Sequence, residues 1–99
     1  MPTPPSPAYR RVLQLLADGE WHDRDAVVDA ASRAVPPGRA WRQAETERLQ
    51  QGGPPARTKG DRETAIAVGA RSIARQVVRG LVNRGRIERD GDRIRLVVQ

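Results

Sequence analysis

The chain has 99 residues, a mean hydropathy of −0.67 and a formal net charge of +6. That length holds one domain with a small core and leaves no room for a second. The absence of cysteine and the single histidine exclude a disulfide framework, a thiolate metal site and a His-cluster metal centre, and the apolar runs are too short to span a membrane. The opening residues show no apolar stretch behind a basic start, so no secretory leader is expected and the cytoplasm is the default location. Arginine outnumbers lysine 17 to 1 alongside abundant Ala, Gly, Val and Pro, a bias that points to a GC-rich source genome.

Pro2, Pro4, Pro5 and Pro7 make residues 1–7 a predicted loose tail. Over residues 8–18, Tyr9, Val12, Leu13, Leu15 and Leu16 recur at helical spacing, and Gly19 is placed to stop that helix. Glu20-Trp21-His22 is the length of a short strand that would pair with a hairpin. Asp23 is a good N-cap for a second helix over residues 24–34, with Ala26, Val27, Ala30 and Ala31 on its inner face and Asp25 suited to the helix dipole. Pro36-Pro37-Gly38 ends it. Residues 39–51 favour helix by composition but carry a thin apolar stripe, which predicts a surface helix anchored by Trp41. Residues 52–60 read as a Gly/Pro loop. The longest helix follows, capped by Asp61 or Thr64 and ending at Arg84 before Gly85. Its stripe is Ile66, Ala70, Ile73, Val77 and Leu81, widened by Ala74, Val78 and Val82. Gly69 leaves open whether the first part is a separate turn. Residues 86–88 and 94–98 then flank Arg89-Asp90-Gly91-Asp92, a strong hairpin signal. Ile87, Ile94, Leu96 and Val98 are expected to face inward, and Arg86, Arg93 and Arg95 outward. The predicted core is Leu13, Leu16, Trp21, Val27, Ile73, Val77, Leu81, Ile87 and Ile94.

The charge is one-sided. Residues 57–99 hold eleven basic and five acidic side chains, whereas residues 1–56 hold seven of each. Such an imbalance is the footprint of a polyanion-binding surface. Arg71, Arg75 and Arg79 recur every four residues on one helix face, and no acidic residue of that helix shares the face. Arg86, Arg89, Arg93 and Arg95 decorate the hairpin, among Glu88, Asp90 and Asp92. Arg57, Lys59 and Arg62 fall near the Gly/Pro loop and would form a flexible basic arm or an ordinary linker. Glu45 with Glu47, and Asp23 with Asp25, are paired carboxylates. No nucleophile–base arrangement, phosphate loop or metal spacing accompanies them, so no enzyme activity, catalytic residue, metal or cofactor is assigned.

The order helix, short strand, helix, long helix, hairpin resembles the winged helix-turn-helix superfamily of DNA-binding proteins. The resemblance is carried by residues 12–21 (VLQLLADGEW), by the Asp23-capped second helix and by residues 81–94 (LVNRGRIERDGDRI), which look like the junction from recognition helix to wing. It is also similar to small helix-turn-helix proteins of actinobacteria and their phages. It covers residues 8–34 and about 65–98. The resemblance implies an α+β, mainly α fold: three core helices plus a C-terminal β-hairpin wing, one winged-helix domain over residues 8–99. The roughly thirty residues between the second and third core helices depart from the family's short turn, giving an insertion at about 36–60 with a surface helix.

The resemblance further implies a sequence-specific protein of double-stranded DNA, a transcriptional or phage-type regulator associated with the nucleoid. The helix at about 65–84 would enter the major groove with Arg71, Ser72, Arg75, Gln76 and Arg79, because Arg can pair with guanine and Gln with adenine through two hydrogen bonds each. The wing residues Arg86, Arg89, Arg93 and Arg95 would hold the backbone. One rival is a winged-helix adaptor that binds protein and not DNA, since fold does not fix function. Another is binding of double-stranded RNA. A homodimer is left open, and membrane association is not expected.

Overall fold

A computed structural model describes residues 6–97; Val98 and residues 1–5 of the expected tail lie outside the described residues. Helix α1 spans Pro7–Leu15, and the Ser6 hydroxyl accepts the Tyr9 N–H. Ser6 and Pro7 therefore open the first helix and do not belong to a loose tail. Proline is tolerated here because the first helical N–H has no partner within the helix to lose. A short strand β1 (His22–Asp23) leads directly into α2 (Arg24–Ser32). The expected cap is formed: Asp23 Oδ2 accepts the Ala26 N–H at 3.0 Å.

Helix α3 runs over Pro37–Gln51, and α4 over Lys59–Asn83 without interruption at Gly69. The α4 cap is Thr58, upstream of the two expected residues. Its hydroxyl accepts the Asp61 N–H at 3.0 Å while Asp61 accepts the Thr58 N–H at 3.3 Å, a reciprocal capping box. Asp61 thus serves as the third residue of the helix. At 25 residues, α4 is about 37 Å long at the usual rise. That exceeds what the core covers, and with α3 it forms an arm. The radius of gyration is 14.7 Å, against about 13 Å for a domain of this size.

Strands β2 (Ile87–Asp90) and β3 (Arg93–Leu96) form the hairpin, and the antiparallel sheet has the order β1-β3-β2. Asp90 pairs with Arg93, so the tight loop is Gly91-Asp92, one residue beyond the Asp-Gly dipeptide that signalled it. Gly91 adopts φ 58°, a left-handed value disfavoured for other residues, at the first loop position. His22 pairs with Ile94, and the Arg24 N–H donates to the Asp92 carbonyl at 2.7 Å, tying the start of α2 to the hairpin loop.

The main core joins Val12 and Leu16, Val27, Val28 and Ala31, Ala74, Val78 and Leu81, and Ile87 with Ile94. Leu13, Trp21 and Val77, expected inside, are only half-buried. On α2 the buried face is Val27, Val28 and Ala31, while Ala26 is exposed. A second, smaller cluster joins Ala8, Val35, Ala40, Ala70 and Ile73. Helix α3 docks through the buried Ala40, a member of this cluster, and Ala44, not through Trp41, which is half-buried. Gly69 makes this attachment close. A Cβ there would overlap the Ala40 carbonyl oxygen and lie 2.9 Å from its carbon. Among the described residues, no helix is long and apolar enough to cross a membrane.

Candidate nucleic-acid interface

The start of α2, the second half of α4 and the outer strand β2 enclose a cleft of about 190 Å³. Arg24, Arg75, Arg79 and Arg89 line it, above a floor of Val28, Val78 and Val82, and no acidic side chain lines it. Each arginine has its own reason to be there. Arg24 is the first residue of α2 and is held by its backbone bond to the hairpin loop. Arg75 and Arg79 are one helical turn apart, both exposed, next to the buried Val78 that turns the helix face outward. Arg89 leans over the loop, its Nε donating to the Gly91 carbonyl at 3.0 Å. Among the described residues, Arg75, Arg79 and Arg89 have no carboxylate partner. Arg24 has only Asp25, at 3.9 Å and largely solvent-exposed. Four guanidinium groups meeting over an apolar floor raise the local positive potential, and planar, bidentate donors suit phosphate oxygens or base edges.

Other candidate residues are placed differently. Arg71 does have an acidic partner: its Nη1 donates to Asp29 Oδ1 at 2.9 Å, and Asp29 Oδ2 also accepts from Arg33 at 3.2 Å. The expectation of an acid-free face fails at this residue because the carboxylate comes from α2, not from α4. Ser72 is half-buried beside it. Gln76 is exposed but opens to the other flank of α4. Arg86 and Arg93 are exposed on the hairpin. Arg95, expected to face out freely, is engaged: its Nε donates to Glu88 Oε2 at 2.8 Å and its guanidinium lies 4.4 Å from the centre of the Trp21 ring. It ties the hairpin to Trp21, the residue before β1, and consumes one of the hairpin's acids. Asp90 and Asp92 remain exposed at the tip. The basic arm is not a free loop either. Lys59 and Arg62 lie in the first turn of α4, and the Arg57 N–H donates to Asp61 Oδ2 at 3.3 Å.

Two carboxylates near these elements are held below their ordinary range. Asp18 is lowered chiefly by the hydrogen bond from His22, 2.8 Å away, and Asp61 by the Arg57 N–H and then by the Thr58 hydroxyl and N–H of the capping box. Both are structural bonds at element ends. Sequence reasoning missed Arg24, because it belongs to a half of the chain whose charges cancel. Its signal was its position, one residue after a helix cap and beside a strand that would pair with the hairpin. Set against known proteins, the chain matches no family model, no curated protein and no solved structure.

Proposed function

We propose that the chain is a winged-helix protein that binds double-stranded DNA, with α4 in the major groove and the β2–β3 hairpin as wing. The element order and the sheet order β1-β3-β2 support that arrangement. The observation that carries it is the cleft where Arg24, Arg75, Arg79 and Arg89 meet with no acidic lining. In this reading Arg75, Arg79 and Gln76 reach base edges. Arg24, Arg86, Arg89 and Arg93 neutralise phosphates, and Arg71, Ser72 and Arg95 hold the scaffold. A helix that reads sequence fits a transcriptional or phage-type regulator. The test is a gel shift after selection from random duplexes, run across a salt series. Arg75→Ala should lose about 1–3 kcal/mol on the selected site and much less on random DNA. Arg93→Ala should weaken both alike and flatten the slope of log K against log salt by about 0.9.

The adaptor alternative has its own support. Among the described residues, the exposed large apolar side chains, Leu49 (69 %) and Val68 (51 %), both lie on the α3–α4 arm. No duplex binding at low salt, with a salt-insensitive protein partner lost on Leu49→Ser, would assign the chain to that class. Stronger binding to duplex RNA than to duplex DNA would replace the proposed partner.

A further inference from the structure

The opposite flank of α4 carries a second basic groove, of about 480 Å³, between α3, α4 and the start of α1. Arg39 and Arg42 of α3 and Arg84 at the end of α4 line it, and again no acidic residue does. None of the three has an ion-pair or hydrogen-bonded side-chain partner among the described residues, and all are exposed. Gly80 lines the groove, and nothing lies within 4 Å of where its Cβ would be. Charge on α3 is unevenly disposed. Arg39 and Arg42 share one edge, within an arc of about 60° at the usual helical twist. On the next turn, Arg48 is consumed by Glu45 at 3.0 Å and by the Gly53 carbonyl at 3.2 Å. The helix is formally near neutral, yet one of its edges is a row of unpaired arginine.

We infer that the inserted helix supplies a second phosphate row: Arg39, Arg42 and Arg84 hold one DNA strand while Arg24 and Arg89 hold the other. The inference rests on the proposal that α4 occupies the major groove. An α-helix with its side chains is about 10–12 Å across, and the major groove is about 12 Å wide. Residues that flank a helix on both sides therefore face the two backbones of the groove it enters. Arg75 and Arg79 open to one groove and Gln76 to the other, so a ridge of base-reading side chains stands between two rows of cations. The insertion at residues 37–51 then works as the counterpart of the wing, on the side that the wing cannot reach.

The experiment compares Arg39→Ala/Arg42→Ala with Arg24→Ala/Arg89→Ala on a selected duplex. Each duplex has backbone phosphates neutralised as methylphosphonates on one strand or on the other. Wild type should lose affinity with either strand neutralised. The α3 double variant should become insensitive to neutralisation of one strand only, and the Arg24/Arg89 variant to the opposite strand. The α3 variant should also flatten the salt slope by about 1.8, the release of two counterions, and Arg39→Lys/Arg42→Lys should restore it, since phosphate accepts a point charge. A full salt slope in the α3 double variant, or loss mapped to the same strand for both variants, overturns the second row while leaving DNA binding by α4 intact. Failure of wild type to bind any duplex at low salt overturns both. Loss of binding to free inorganic phosphate or a mononucleotide, with duplex affinity unchanged, assigns the groove to a small anion instead.

Discussion

From Leu81 back to Gly69 along α4, the means of packing changes. Around Leu81 the helix is held by large side chains: Leu16, Leu81, Ile94, Val12 and Val28 are the largest fully buried residues, and they come from α1 and the turn after it, α2, α4 and the sheet. Around Gly69 it is held mainly by small residues, with Ala40, Ala44 and Ala70 letting two backbones approach beside a smaller cluster that includes Val35 and Ile73. The first mode derives stability from apolar area removed from water, about 25 cal/mol per Å². The second derives it from dispersion between closely spaced main chains, small per contact and intolerant of added atoms. The candidate DNA surface straddles the two. Arg75, Arg79 and Arg89 stand on the first, and Arg39 and Arg42 on the second.

The largest expected effect lies in the first region. Leu81→Ala removes a side chain only 1 % exposed and leaves a cavity in the main core, to which α1, α2, α4, β2 and β3 all contribute. It should cost about 2–5 kcal/mol, measured by denaturant unfolding, and raise hydrogen exchange throughout the helices and the sheet. Unchanged stability would mean that the two regions do not differ as described.

In the second region the same comparison predicts a different failure. Gly69→Ala should gain about 1 kcal/mol from helix propensity. The added methyl, however, meets the Ala40 main chain, which has no flexible end to move aside. Overpacking of this kind costs about 1–3 kcal/mol and sometimes more, so the net change should be destabilising. Exchange should rise across residues 37–51 while β3 stays protected. A uniform rise would show that arm and core unfold as one unit. A stabilised variant would show that α3 can slide.

Gly80→Ala is the matching control, eleven positions along the same helix. With nothing within 4 Å of the new methyl, it should stabilise by about 0.5–1 kcal/mol. Opposite signs for one substitution in one helix would sharpen the contrast, since propensity alone predicts the same sign at both sites.

The same division governs what the sequence disclosed. The hairpin announced itself through Asp90-Gly91 and alternating apolar residues, and α2 through Asp23, because those signals are local. The loop is shorter than the expected Arg89-Asp90-Gly91-Asp92, because Arg89 and Asp90 pair within β2 and Gly91 opens the turn. The start of α4 escaped notice because Thr58 sits in a Gly/Pro-rich stretch and its box closes with Asp61 in place of the commoner Glu or Gln. The docking of α3 escaped because alanine and glycine leave little trace in a hydropathy pattern. Of the candidate site, Arg75, Arg79 and Arg89 were legible from charge. Arg71 has an acidic partner that no local pattern signals, because Asp29 lies 42 positions away. Arg24, Arg39 and Arg42 were hidden by a balanced count over residues 1–56.

The smallest effect expected is acid loosening of the arm. Asp61 is held below its ordinary value of 3.8 by the Arg57 N–H and then by the capping box with Thr58, and Glu45 below 4.5 by the hydrogen bond from Arg48. A carboxyl lowered by folding lends stability that is fully present above its unfolded value and disappears as pH falls through the folded one. Asp61 is solvent-exposed and Glu45 only half-buried, so each contribution is small. Both lie on the arm, however, and the arm is held by the smaller of the two hydrophobic clusters. Below about pH 4, exchange should therefore rise in residues 37–51 and in the first turns of α4 before it rises around Leu81. Thr58→Ala at neutral pH should mimic the change at the start of α4, at about 1 kcal/mol for a lost cap. The competing carboxylate is Asp18, lowered by His22 beside β1. If its protonation is what matters, exchange near β1 and α1 will rise first. That order would show that the acid-sensitive end of the molecule is the one built from large side chains, reversing the contrast between the two ends of α4.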